Sequence, residues 1–192
     1  MTQDIHVKSM LLAPIGTRCY LVYSGRDAIV IDPASSPGLI IENAALANVV
    51  VKAILLTHGH FDHIGAAKDI ADKYCVPVYI GRADVAMLTN PLLNASLACG
   101  MMPVSVSVPT VGVDDGDKLT ICGTNVGVIS TPGHTAGSVC YLIGDCLFTG
   151  DTYFAHDCYG RTDLPTGDAD ELDRSLEKLS QYVSKYKVYP GH

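Results

Sequence analysis

The sequence predicts an α+β chain, and three observations predict it. Short apolar runs rich in Val, Ile, Leu and Tyr recur between turn residues, at strand length. Stripes with helical spacing interrupt them. The order reads strands, helix, strand, helix, then strands, helix, strand, so two β-rich halves are separated and closed by helices.

Residues 5–12, 18–23 and 27–31 read as strands. The turns Ala13-Pro14-Ile15-Gly16 and Ser24-Gly25-Arg26-Asp27 join them as an antiparallel meander. Ser36-Pro37 opens a helix, with proline early, where its missing N–H costs nothing. Leu39, Ile40, Asn43, Ala44, Leu46 and Ala47 form its apolar stripe. Residues 51–56 are the next strand. A helix follows with Ile64, Ala67, Ile70, Ala71 and Tyr74 on its inner face. Residues 76–80 read as a strand and 82–89 as a short helix. The irregular, apolar segment 90–103 either connects elements or walls a pocket. Strands then fall near 117–122, 125–130, 138–143 and 145–149, with a tight hairpin at Gly144-Asp145. Asp168 and Glu171 resemble a capping box, and Leu172, Leu176, Leu179 and Val183 line the last long helix.

A length of 192 residues suits one domain spanning 1–192, and no linker-like tract divides it. Hydrophobic content of 48% is enough for a sizeable core. The apolar stretches are strand-sized, so no membrane partner is expected. Net charge is −7 with scattered lysines and arginines, which argues against a nucleic-acid partner. The start, Met-Thr-Gln-Asp-Ile-His, lacks the basic and apolar regions of a signal peptide. Seven cysteines are widely spaced with no CxxC pair. Cys19, Cys75, Cys122 and Cys140 sit in apolar runs as small hydrophobes, which fits a reducing cytoplasm without disulfides. Cys158 differs, lying in the loop after Asp151.

The chemistry concentrates in Thr57-His58-Gly59-His60-Phe61-Asp62-His63. Three of the chain's seven histidines and one carboxylate fall within six residues. Imidazole and carboxylate suit zinc, manganese, iron or cobalt. The stretch follows the strand 51–56, so its side chains emerge at a rigid sheet end. Three more apolar runs end in the same way: one before Thr131-Pro132-Gly133-His134-Thr135, one in Thr149-Gly150-Asp151, and one in Pro190-Gly191-His192. Four strand ends thus deliver five histidines and two aspartates. His6 reads as a surface strand residue, and His156 as a loop residue near Asp151 that could face a pocket.

The HxHxDH stretch, the TPGHT and TGD turns and the final PGH resemble the metallo-β-lactamase superfamily. With Gly160-Arg161-Thr162-Asp163-Leu164-Pro165-Thr166-Gly167-Asp168, the chain is similar to its glyoxalase II-like hydrolases. The resemblance implies an αββα sandwich: two mixed β-sheets face to face, with helices on the outer faces. It implies two metals, zinc in the first instance, with iron or manganese as alternatives. His58, His60 and His134 would hold the first, Asp62, His63 and His192 the second, and Asp151 would bridge both. Asp62 and Asp151 carry catalytic roles in this scheme. A metal-bridging hydroxide attacks a small-molecule thioester, such as an S-acylglutathione, with Asp62 orienting it.

The alternatives are hydrolysis of another ester, lactone or phosphodiester, an iron-dependent persulfide dioxygenase, or a non-enzymatic metal-binding scaffold. The dioxygenases resembled here end their motif in PAH, whereas this chain has Pro190-Gly191-His192. His60 stands where flavodiiron-type relatives carry glutamate. The chain stops at His192, where such relatives continue, so either a truncated sequence or a natural end at a ligand is expected, with a weaker second metal site. Arg161 is expected to pair with Asp163 in a structural role. Oligomeric state is left open by the sequence.

Overall fold

A computed structural model describes residues 4–154 and 158–192. Three strands form the antiparallel meander: β1 (His6–Leu12), β2 (Thr17–Ser24) and β3 (Asp27–Ile31). Helix α1 (Pro37–Leu46) carries the chain back so that β4 (Val50–Leu56) lies parallel to β3. Such parallel pairing needs a crossover of this length. Two helices, α2 (Phe61–Ile64) and α3 (Ala67–Tyr74), make the next crossover to β5 (Val78–Gly81). A 3-10 helix, Arg82–Thr89, and the irregular segment after it lead to β6 (Thr110–Val113), parallel to β5. The first sheet therefore runs β1-β2-β3-β4-β5-β6.

The second sheet is built from β7 (Lys118–Ile121), β8 (Thr124–Ser130), β9 (Val139–Ile143) and β10 (Cys146–Gly150), all antiparallel. Helix α4 (Ala169–Val183) then returns the chain to β11 (Lys187–Pro190), parallel to β10, in the order β11-β10-β9-β8-β7. Both sheets are mixed, and three apolar layers stack them, as the sandwich requires. Ile54 and Leu56 of β4 pack with Ile40 of α1 and Ile70 of α3. Ala53 and Leu55 point to the other face and meet Val128, Tyr141 and Phe148 of the second sheet. Ile129, Cys140 and Leu147 pack against Leu179 of α4. The alternation along β4 is the period of two that a strand imposes.

Several details depart from the sequence reading. Leu39 and Leu46 are exposed; α1 buries Ile40, Asn43 and Ala44 instead. Segment 82–89 is 3-10, so its three-residue period buries Asp84 and Met87, with Leu88 buried beside them. Strand β6 was not expected; it is a four-residue edge strand directly after Pro109 and reads as connector. Cys19 and Cys140 are buried as expected, whereas Cys75 and Cys122 are exposed, both at positive φ, at the end of α3 and in the β7–β8 turn. No disulfide joins the described cysteines, and Cys158 is exposed. His6 is exposed on β1. His156 lies outside the described residues. Among the described residues no helix is long and apolar enough to cross a membrane.

Candidate metal centre

The C-terminal ends of β4, β8, β10 and β11 converge at one edge of the sandwich. Thr57 continues β4 and fixes the junction, because its carbonyl accepts the Val139 N–H of β9 at 2.8 Å. The Tyr141 hydroxyl donates to the Leu56 carbonyl at 2.9 Å, and Arg18 N–H to the Gly191 carbonyl at 2.8 Å. These bonds tie the two sheets together at the edge that carries the histidines.

All seven predicted residues come together there. Their ligand-type atoms form three overlapping groups, each within 4.8 Å: His58 with His60 and His134, His58 with His63 and Asp151, and Asp62 with His63 and His192. His134 Nε2 lies 2.9 Å from His60 Nδ1 and 3.3 Å from His58 Nε2. His63 Nε2 lies 3.4 Å from Asp151 Oδ1 and 3.6 Å from Asp62 Oδ2. His192 Nε2 faces Asp62 Oδ2 at 3.3 Å and Asp151 Oδ2 at 3.4 Å. Asp151 Oδ2 also lies 3.6 Å from His134 Nε2, so this carboxylate spans the first histidine group and the second.

A ring nitrogen can bind a metal only if its lone pair is free, and the neighbours set which nitrogen that is. His134 Nδ1 donates to the Arg161 carbonyl at 2.7 Å, leaving Nε2 as the acceptor. His63 Nδ1 donates to Asp32 Oδ2 at 3.0 Å, again leaving Nε2. The Thr57 hydroxyl donates to Asp32 Oδ2 at 2.7 Å, so its oxygen is left to accept from His58 Nδ1 at 3.1 Å. His58 Nε2 is thereby freed. Asp32, 1% exposed, orders two of the histidines and also accepts the Thr57 N–H.

Charge fits a cation. Burial holds His58 well below its ordinary value, with His63 and the other histidines adding to the effect. Burial and His134 lower His60 to about 3, and burial lowers His134. These three are neutral nitrogen donors. At His63, burial acts downward, but Asp151, Asp62 and Asp32 outweigh it and raise the group well above its usual value. At His192, burial acts downward, and hydrogen bonding to Asp151 and Asp62 outweighs it, raising it to about 9. Burial pushes both aspartates up, but His63 and His192 hold Asp62 at about 2 and Asp151 well below the usual range; Thr17, donating to Asp62 at 2.9 Å, adds to the effect there. His60 Nε2, His63 Nε2 and Asp151 Oδ1 are buried without a hydrogen bond. Orphaned polar atoms of this kind cost about 1–3 kcal/mol each. Ring nitrogens facing one another beside two ionised carboxylates are a donor set that divalent cations satisfy, so the residues present fit a metal pair.

Sequence reasoning missed Asp32 and Asp84. Asp32 ends the apolar run of β3, the same strand-end pattern that marks Asp151, and so was available. Asp84 carried no signal, because burial of one turn of a 3-10 helix is a tertiary property. It is 0% exposed and accepts from Gly59 N–H at 2.9 Å, Thr135 hydroxyl at 2.6 Å and Gly137 N–H at 2.7 Å. It thus clamps the loop of His58 and His60 to the turn of His134, and burial raises its pKa despite those bonds. Arg161 pairs with Asp163 through Nε at 2.5 Å and Nη2 at 2.6 Å. His192 is preceded by a held residue: besides the bond from Arg18, Gly191 N–H donates to Gly150 O at 2.8 Å.

The centre opens into a cavity of about 320 Å³, lined by His60, Asp62, His134, Asp151 and His192 on its floor. Phe61, Phe154, Tyr159, Arg161 and Leu164 contribute to the walls. Ala95 and Cys99 are there too, so part of segment 90–103 is pocket wall.

Comparison with known proteins agrees with the geometry. Residues 12–192 match the family model of the metallo-beta-lactamase superfamily. The chain is 30% identical over 189 residues to the probable polyketide biosynthesis zinc-dependent hydrolase PksB of Bacillus subtilis (strain 168), covering 93% of this chain and 77% of that protein. The crystal structure of BLEG-1 B3 metallo-beta-lactamase superposes with a TM-score of 0.88 at 33% identity, covering 97% of this chain and 91% of that one. That of TTHA1623 in a di-iron-bound form gives 0.86 at 32%, covering 97% and 92%. With its motifs at four strand ends, a sandwich matching these structures and a family model spanning nearly its whole length, the chain belongs to the metallo-beta-lactamase superfamily.

Proposed function

We propose that the chain is a dinuclear metal hydrolase that cleaves thioesters of the S-acylglutathione type. The observation that carries the reading is Asp151, whose two oxygens face the His63 side and the His134 and His192 side of one pocket. His58, His60 and His134 would hold one ion, Asp62, His63 and His192 the other, with Asp151 shared. Zinc is favoured by the nitrogen-rich donor set and by the similarity to a zinc-dependent hydrolase, with iron or manganese as alternatives. When bound, the ions supply Lewis acidity and bring a water to its deprotonated form near neutral pH.

The chain's own residues do the rest. Asp62, kept ionised and fixed by Thr17, is an acceptor on the pocket floor that orients an attacking water. The walls position the carbonyl carbon above that floor. Hydrolysis forms a C–O bond and breaks the C–S bond, giving an acid and a thiol. Thiols ionise near a pH of about 8.5, so a thiolate departs without a strong general acid. The exposed thiols of Cys75, Cys99 and Cys122 support a reducing cytoplasmic setting.

A second reading, opening of a β-lactam by the same site, is favoured by the similarity to BLEG-1. A persulfide dioxygenase is disfavoured by Pro190-Gly191-His192, where the dioxygenases resembled here have PAH. The test is turnover of S-lactoylglutathione, simple acyl thioesters and a β-lactam by zinc-loaded and chelated protein. Zinc-dependent thioester cleavage exceeding β-lactam cleavage is expected. Cleavage of the β-lactam alone would overturn the thioester assignment.

A further inference from the structure

Beside the metal pocket lies a second cavity, of about 220 Å³, and its composition is unlike the first. Its walls are Pro14, Ala34, Phe61, Met101, Met102 and Val104, with Asp62 and Thr17 at one end. Phe61 and Asp62 line both cavities, so the groove adjoins the metal pocket at one of its proposed ligands. The Thr17 hydroxyl is already committed to Asp62. Little side-chain polarity is therefore left to bind a polar ligand.

Met102 is 83% exposed and Met101 39%, although their backbone is anchored. Asn94, fully buried, donates to the carbonyls of Met87 at 3.1 Å and Val104 at 2.9 Å. Met101 N–H donates to Ser96 O at 2.9 Å, and Val104 N–H to Ser96 Oγ at 3.2 Å. A pinned backbone thus presents two flexible, polarisable side chains to solvent beside a phenylalanine. Exposed apolar clusters of this sort mark binding surfaces, and methionine adapts to apolar ligands of varied shape.

We propose that this groove is the acyl subsite and selects substrates with an apolar acyl chain of several carbons. The inference rests on the hydrolase reading of the adjoining pocket. A thiol carrier such as a peptide is rich in amides and would leave them unpaired in this groove. It fits the part of the metal pocket lined by Arg161 and Tyr159, neither of which lines the groove. The hydrocarbon chain is then the part of the substrate that gains from the methionine side.

The test uses straight-chain carboxylates from acetate to octanoate as probes, titrated calorimetrically into the zinc-loaded protein. Affinity should rise about fourfold per added methylene from butyrate onward, the gain expected for burying each CH2. The double variant Met101→Ser, Met102→Ser should flatten that slope while leaving acetate binding unchanged. Leu97→Ser, an exposed change on the same segment outside the groove, should keep the slope. A flat series in the unaltered protein, or a slope that survives the double variant, would overturn the subsite. So would sedimentation showing a dimer that the double variant abolishes, which would make the face an interface between copies. Chain-length-dependent binding without any thioester turnover would instead reject the hydrolase reading and leave the subsite standing.

Discussion

Gly191 shows how one missing methyl shapes the centre. A Cβ at this position would lie 2.1 Å from Asp151 Oδ1 and 2.9 Å from His63 Cε1. Neither neighbour is free to retreat, since Asp151 also faces His192, and His63 is fixed by Asp32. Gly191→Ala should therefore displace the Asp151 carboxylate and lower bound metal from about two per chain toward one. Mass spectrometric metal analysis checks this, and an unchanged count would show that the pocket absorbs the methyl. His63 and His192 carry a second expectation. Carboxylates raise both: Asp32, Asp62 and Asp151 around His63, and Asp62 and Asp151 around His192. Both shifts favour the protonated rings in the metal-free protein, and ligation needs their lone pairs, so metal uptake should release protons. Second-site affinity should rise with pH until His192 deprotonates near 9. Calorimetry in buffers of differing ionisation enthalpy should count about one proton fewer released in His192→Ala than in the unaltered chain. Equal counts would remove His192 from the ligand set.

At the scale of elements, strand ends place the ligands and helices hold the strands. The Asp168 carboxylate accepts the Glu171 N–H at 2.9 Å and caps α4, while the Glu171 side chain turns to Arg174 at 2.6 Å. The cap is therefore half of the box that Asp-x-x-Glu suggests. Asp168→Ala should cost about 1 kcal/mol of stability, read as a lowered urea midpoint. Because Pro132 O accepts from Ser175 of α4 at 2.7 Å, loosening the helix should also weaken the turn that carries His134. A variant with unchanged midpoint would show that packing of Leu172 and Leu179 alone fixes the helix. This element also shows what the sequence could reveal. Leu172 and Leu179 are buried because a stripe of period 3.6 on an otherwise polar helix has one stable orientation. Helix α1 misleads because it is apolar on several sides, so the pattern does not say that Leu39 and Leu46 face solvent.

Across the whole molecule, the site was legible where chemistry is local and opaque where it is not. His58, His60, Asp62 and His63 stand together in sequence, and His134, Asp151 and His192 each follow an apolar run. The same geometry brings them to one edge of the sandwich. Asp84 could not be read this way, since its three partners lie up to 53 residues away. Nor could the methionine groove, whose walls come from the β1–β2 turn, α2 and the segment after Asn94. The proposed two-metal centre, at the edge where the two sheets meet, depends on Asp151. Metal content of zinc-reconstituted protein at neutral pH, compared with Asp151→Ala and with Asp163→Ala, tests it most directly. Asp163 is exposed and pairs only with Arg161 among the described ion pairs, so it serves as a carboxylate control outside the centre. Two zinc ions per chain are expected in the unaltered protein and in Asp163→Ala, and at most one in Asp151→Ala. Equal metal content in all three proteins would contradict it.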